Sequence, residues 1–444
     1  MSYKPTMLIT GPVATRSGYG AHTRDLVRSL IKMDKFDIKI MSMRWGNTPM
    51  NALQKGEPND EIIIERLLSE PKVDKQPDIH IQISVPNEFS TLGKYNIGIT
   101  AGLECTVCPA EWIQGLNRMN LNIVPSTFVK DVINNSIFDV NDNKTGKIKG
   151  QIKNERPIEV LFEGSDINIF KKTKEFSTDF INEMKQVKEN FNFLYVGHWL
   201  QGGLGQDRKD TGMMIKVFLE TFKNTKNAPG LIMKTSGATY SVLDRENMIT
   251  KINEVKKQVI AKTLPNIYLF HGDFTDEEMN QLYNHPKVKA HVNLTHGEGF
   301  GRPLLEASLS GKPILASGWS GHLDFLQKDL ALLIGGTLTD VPKKSFPKNM
   351  YVEGSKWFTC NYVEAASGMS EIFLNHKKYL KLSNKLSNIN KSKFSFQKMK
   401  NDFEKILDNY LPEFAEEVQI KLPKLKKANE SETPKIKLPK LKKV

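Results

Sequence analysis

The stretch from His291 to Asp324 constrains this chain more than any other. HVNLT, 291–295, places apolar residues at alternate positions, the period of a strand. HGEGFG, 296–301, has three glycines in six residues, so the backbone can turn sharply and approach a ligand closely. Pro303 suits the first turn of a helix, where its missing N–H costs nothing. Leu304, Leu305, Ala307, Ser308 and Leu309 give that helix an apolar face, and Gly311 ends it. PILAS, 313–317, reads as the next buried strand. Strand, Gly-rich loop, helix and strand in that order make a βαβ unit. A loop feeding a helix N-terminus binds anions through free N–H groups and the helix dipole.

Two carboxylates flank the turn, Glu298 in the loop and Glu306 in the helix, with seven residues between them. Beside a phosphate their charge is unfavourable; facing ribose or sugar hydroxyls, each accepts hydrogen bonds. The plainer alternative makes Glu306 a helix-capping residue and Glu298 a solvated loop residue. The run Glu298-Gly299-Phe300-Gly301-Arg302-Pro303-Leu304-Leu305-Glu306 resembles the E-G-F-G-x-P-x-x-E signature of family 4 glycosyltransferases. The resemblance extends loosely over residues 7–375. It implies an α/β chain of the GT-B type, with two Rossmann-like domains facing across a cleft and a C-terminal crossover helix. It also implies that Glu298 and the amides of Gly299, Phe300 and Gly301 hold the donor sugar, and that Glu306 binds the ribose.

The chain's 444 residues suffice for two domains and a tail, and its 39% hydrophobic content supports a real core. No run approaches a membrane span, and the apolar part of the N-terminus is too short for a signal peptide. Three cysteines, Cys105, Cys108 and Cys360, are too few for a disulfide framework. The single C-x-x-C at 105–108 has neither a second pair nor a nearby histidine, which makes it a poor zinc site, so no metal is expected. A reducing cytoplasm is the simplest compartment. Net charge is +13, but residues 418–444 carry nine Lys and two Glu, or +7, which leaves +6 for the other 417 residues. Half the basic excess therefore belongs to the tail.

Taken in order, MLIT is a first strand, and GPVATRSGYG leads into an amphipathic helix. This resembles the first β-loop-α of GT-B enzymes, which implies that Gly18 and Gly20 lie near the donor phosphates. The loop lacks a Walker A lysine and a proper dinucleotide fingerprint. IHIQIS alternates strictly and is a further strand. Glu104, Thr106, Pro109 and Trp112 follow the next strand on a loop expected to face the cleft, with Glu104 and Trp112 as acceptor contacts; the alternative is loop packing. Residues 139–157 are polar and Lys-rich and read as an exposed insertion. The expected domains are 1–172, binding acceptor, and 173–386, binding nucleotide-sugar, with the crossover helix at 387–417 and a tail at 418–444.

FNFLYVGHW opens the second domain. Where the family has V-G-R and then R-K-G, this chain has Val196-Gly197-His198, an insertion, and Arg208-Lys209-Asp210. The match implies that Lys209, with Arg208 beside it, binds the diphosphate; a solvated lysine at a helix start is the alternative. His198 in place of arginine leaves one phosphate charge uncompensated at neutral pH, and Arg302 is a candidate to supply it. Lys234, at the end of a strand, is a candidate second phosphate contact. The tail repeats IKLPKLKK at 420–427 and 436–443, and its lysines and prolines argue for disorder.

Together these features imply a nucleotide-sugar-dependent glycosyltransferase, anomer-retaining and metal-independent, with UDP as the family default and the nucleotide-sugar as co-substrate rather than cofactor. The catalytic set is Glu298, Lys209 and Arg208. The donor set is Gly18, Gly20, His198, Lys234, Gly299, Phe300, Gly301, Arg302 and Glu306. The chain also resembles proteins of tailed phages that glycosylate 5-hydroxymethylcytosine, which makes phage DNA the favoured acceptor. A bacterial-surface glycan or lipid, with the tail on an anionic membrane, is the alternative. A non-catalytic nucleotide-sugar or DNA-binding protein is the third reading, and the presence of both Glu298 and Glu306 speaks against it.

Overall fold

The computed structural model describes residues 3–142, 145–237, 239–345 and 350–415. The tail from 416 onward, including the IKLPKLKK repeats, lies outside the described residues.

The N-domain begins with β1 (Thr6–Gly11), α1 (Gly18–Met33), β2 (Asp37–Ser42), α2 (Pro58–Ile64) and β3 (Ile79–Ile83). It continues with β4 (Tyr95–Ile99), α3 (Ala110–Arg118), β5 (Leu121–Val124) and α4 (Thr127–Asn135). A hairpin of β6 (Phe138–Asn141) and β7 (Ile148–Ile152) precedes β8 (Ile158–Val160). Six strands pair in parallel in the order β2-β1-β3-β4-β5-β8. The polar insertion expected at 139–157 is mostly this antiparallel hairpin, largely exposed.

After α5 (Thr178–Lys185), the C-domain runs through β9 (Asn192–Val196), α6 (Thr211–Phe222), β10 (Gly230–Lys234), α7 (Val242–Lys257) and β11 (Ile267–Phe270). Next come α8 (Asp276–Asn284), β12 (Val288–Asn293), α9 (Arg302–Leu309), β13 (Ile314–Ser317) and β14 (Leu332–Ile334). This second sheet is also parallel, in the order β11-β10-β9-β12-β13-β14. A hairpin of β15 (Gly336–Asp340) and β16 (Lys356–Cys360) follows, then α10 (Tyr362–Leu374), α11 (His376–Lys393) and α12 (Phe396–Tyr410).

Strand alternation builds both faces of each sheet. Phe193 and Tyr195 of β9 enter the core on one side with Phe218 and Met233, while Leu194 enters the other with Leu305 and Phe325. Two elements tie the domains together. The crossover helix α12 buries Met399, Phe403 and Leu407 against Met7, Ile9 and Leu26 of the N-domain. The β15–β16 hairpin sends Trp357 into the N-domain core beside Trp112, Cys105 and Cys108.

In the C-domain sheet the chain leaves β9 towards β10 and returns to the other side of β9 as β12. That reversal leaves a crevice at the carboxyl ends of β9 and β12, where doubly wound sheets bind ligands. In the N-domain the corresponding reversal lies between β1 and β3.

Candidate active site

The loops leaving β9 and β12 carry the residues singled out above. The β9 loop holds Arg208 and Lys209, immediately before α6. The β12 loop holds His296 to Gly301, immediately before α9. The main chain joins them: His296 N–H donates to the Arg208 carbonyl at 3.1 Å. Lys209 Nζ donates to Glu298 in a buried ion pair. Burial pushes the Glu298 carboxyl up, but Lys209 and Arg208 outweigh it and hold the group below its ordinary range. Burial, helped by Arg208, lowers the Lys209 ammonium.

The Glu298 backbone is fixed from below. Its N–H donates to Ser320 Oγ at 2.9 Å, and its carbonyl accepts from Gly321 N–H at 2.9 Å. Ser320 holds a φ of 82° to do this, an uncommon angle for a residue with a side chain. Gly301 caps α9 at φ 98°, and among the described residues no side chain caps that helix, so its N-terminal dipole faces the loop. A Cβ on Gly299 would strike the Ala101 carbonyl of the N-domain, so only glycine lets the two domains meet here.

The N-domain supplies the opposite wall. Ser126 Oγ donates to the Gly299 carbonyl at 2.6 Å, and Tyr19 ties the first loop to the β4 loop by donating or accepting at Thr100 and accepting from Ala101 N–H at 2.9 Å. Arg208 forms an ion pair with Glu104 across the seam. Arg16 pairs with Asp273 at 2.7 Å. Gly20 sits in the first turn of α1, its N–H donating to Ser17 Oγ at 3.0 Å, and a side chain there would strike Thr15; Gly18 has open space around it.

Glu306 lies one helical turn beyond the loop. It accepts from Arg302 Nε at 2.9 Å and from the Tyr283 hydroxyl at 3.2 Å. Burial raises its carboxyl to about 7 despite Arg302. Glu163, buried after β8, is raised to about 7 by the same cause, and neighbouring His22 is lowered to about 4 by burial.

Several expected placements change. Arg302, the candidate to replace the missing phosphate cation, is paired within the seam between the domains. Its guanidinium is spent on Asp25 of α1, on Glu306 and, at 3.9 Å, on Glu163. Trp112 does not face the cleft: it is 1% exposed in the N-domain core, because it lies on the inner face of α3. Phe300 contributes only backbone to the loop, since its ring packs against Phe162, Phe325 and Phe394. Lys234 is buried, donates to the Gly272 carbonyl at 2.7 Å and stands over the Phe274 ring. Burial lowers it to about 8. His198 donates to the Gly237 carbonyl at 3.1 Å, and burial, with Lys209 and Lys234 nearby, lowers its imidazole below the ordinary range.

Asp25, Glu163, Tyr283 and Ser320 were not legible as site residues. Asp25 sits between Arg24 and Arg28 on a helix and reads as a surface charge. Only Glu163 carried a signal, its place a few residues before the domain boundary expected at 172.

No protein-family model matches the sequence, and a search of curated protein sequences finds no match. Solved structures do match. A glycosyltransferase from Rickettsia africae superposes with a TM-score of 0.60 at 13% identity, covering 92% of this chain and 99% of that one. HepE of Anabaena, in complex with UDP and glucose, gives 0.58 at 12% identity, covering 91% and 100%. Sucrose-phosphate synthase of Thermosynechococcus elongatus gives 0.57 at 11%, covering 92% and 99%. Likeness at that identity speaks for the fold: this chain has the GT-B architecture, two Rossmann-like domains facing across a cleft and tied by a C-terminal crossover helix.

Proposed function

We propose that this chain transfers a sugar from a UDP-linked donor to a hydroxyl acceptor, with retention at the anomeric carbon and without a metal. One observation carries the reading: Arg208, Lys209 and Glu298 converge beside the uncapped N-terminus of α9, at the reversal point of the second sheet. Such a place suits a diphosphate. In this reading Arg208 and Lys209 take the diphosphate and stabilise charge on the leaving group, the main requirement of the chemistry. Their present partners, Glu104 and Glu298, are then freed to accept hydrogen bonds from sugar hydroxyls. Glu306 accepts from the ribose once Tyr283 and Arg302 give way.

For the acceptor, 5-hydroxymethylcytosine in DNA follows from the resemblance and the positive charge, and the base would be reached in the groove or flipped from the stack. A glycan acceptor has a specific observation behind it. A pocket of about 450 Å³, where the N-domain meets the segment between β15 and β16, is lined by Asn87, Glu111, Phe138, Tyr351 and Glu353. Aromatic faces with carboxylates suit neutral sugars, and the carboxylates repel phosphate. The test is incubation with radiolabelled UDP-sugars and, in parallel, hydroxymethylated DNA, unmodified DNA and neutral oligosaccharides. Label in hydroxymethylated DNA alone supports the first acceptor, and label in an oligosaccharide the second. No label in any acceptor and no donor hydrolysis would overturn the enzyme reading.

A further inference from the structure

The edge of the C-domain opposite the cleft carries a charge pattern that glycosyl transfer does not use. Helix α11 has six lysines and no carboxylate in 18 residues. It packs on α9 through Ser387, which donates to the Leu309 carbonyl at 3.0 Å, and Asn390, which donates to Ser308 at 2.8 Å. Lys377, Lys378, Lys381 and Lys385 face solvent. Three of them stand at four-residue spacing, a row about 12 Å long at 1.5 Å per residue. The start of the row is fixed to the sheet, because His376 donates to the Lys289 carbonyl at 2.9 Å. Behind it Lys312 donates to the His285 carbonyl at 2.6 Å. Among the described residues, no carboxylate pairs with Lys289, Lys312 or the four exposed lysines of α11.

The neighbouring groups register the same excess. Burial and then Lys312, Lys287 and Lys289 lower His285 to about 4. Burial and then Lys289 lower Lys312 well below its ordinary value. No carboxylate alternates with the lysines along α11; the nearest one before it in the chain, Glu371 of α10, accepts from Asn375 Nδ2 at 3.0 Å. Leu374, two residues before His376, is 75% exposed.

We propose that this face, the α11 lysine row with Lys289 and Leu374, docks on an anionic lipid surface. Lysines held near such a surface are attracted by its negative potential, and an exposed leucine beside them gains by entering the interface. Against a nucleic-acid backbone Leu374 gains nothing. A duplex held at this edge would also lie away from the cleft at the carboxyl ends of the strands and could not present a base there.

The test is co-sedimentation of the full chain with phosphatidylcholine vesicles, with and without phosphatidylglycerol. The wild type is expected to bind only the phosphatidylglycerol vesicles, and less so in high salt. Replacing Lys377, Lys378, Lys381 and Lys385 by Glu is expected to weaken binding about a hundredfold or more, at roughly fivefold per lysine. Leu374→Ser is expected to weaken vesicle binding several-fold and to leave binding to a duplex DNA probe unchanged. Thermal melts confirm that both variants fold. Vesicle binding unchanged in the quadruple variant overturns the proposal, since the tail would then carry the affinity. It is equally overturned if the wild type prefers duplex DNA to the vesicles and the quadruple variant loses the DNA.

Discussion

Arg302 lies among Asp25, Glu163 and Glu306, the most crowded group of charges in the molecule's seam. Its replacement by methionine would keep the volume and strand three buried carboxylates. We expect Arg302→Met to cost about 3–5 kcal/mol of stability, read from urea unfolding. The same carboxyls set a pH dependence. Glu163 and Glu306 rise from 4.5 to about 7 on folding, so the folded chain keeps protons that the unfolded chain has already lost. Their contribution to stability is complete below about 4.5 and disappears as pH rises through about 7. If Glu306 holds the ribose as proposed, donor binding should run the other way, because an ionised carboxylate can accept from both hydroxyls while the acid keeps a proton. UDP affinity measured by calorimetry should rise as pH crosses about 7, and Glu306→Gln should abolish that rise. The same variant should weaken UDP binding by roughly 1–2 kcal/mol. Glu298→Gln should chiefly lower turnover. If UDP affinity and turnover are unchanged in both variants, the assignment of the two carboxylates fails.

At the scale of elements, helix α12 decides whether the two domains behave as one. Phe403 is fully buried in the N-domain core, although its helix follows the whole C-domain in the chain. Phe403→Ala should cost about 3–5 kcal/mol, the range for deleting a buried phenyl ring. Circular dichroism during urea unfolding should show the N-domain lose stability. A loss of less than about 1 kcal/mol would mean that the contact is not held in solution. The β15–β16 hairpin is the second bridge, with Trp357 stacked on His296 at a ring separation of 4.0 Å and packed in the N-domain core. It places a C-domain aromatic between the signature loop and the opposite domain.

For the whole molecule, the reading of Arg208 and Lys209 as the diphosphate's counter-charges has a direct consequence. Transfer or donor hydrolysis should persist in EDTA, and loss of activity restored by a divalent ion would overturn metal independence. The tail makes a separate prediction. With nine lysines and two glutamates it should be dispensable for folding. If the acceptor is DNA, truncation after Glu417 should weaken binding and flatten the dependence of log K on log salt by several units. Identical slopes for full and truncated chains would exclude a DNA role for the tail. Slow hydrolysis of the nucleotide-sugar should survive truncation, since the residues proposed to hold the donor all precede residue 307 in the chain.

The sequence determined by itself whatever depends on local chemistry. Periodicity and glycine placement around 291–317 specified strand, loop, helix and strand, because each of those choices is made within a few residues. The signature run placed Glu298 and Glu306 around one helix start, where the structure has them. Only the tertiary structure decided the partners of the charges. That Arg302 would be held by Asp25, 277 residues away, depends on how two domains close, and nothing near Arg302 encodes it. Trp112 read equally well as a cleft residue or a packed one; the inner face of α3 and the arrival of Trp357 from the other domain settled it. The uncompensated row on α11 was likewise hidden, because lysines in a sequence show their sign, while only the fold shows that no carboxylate comes to meet them.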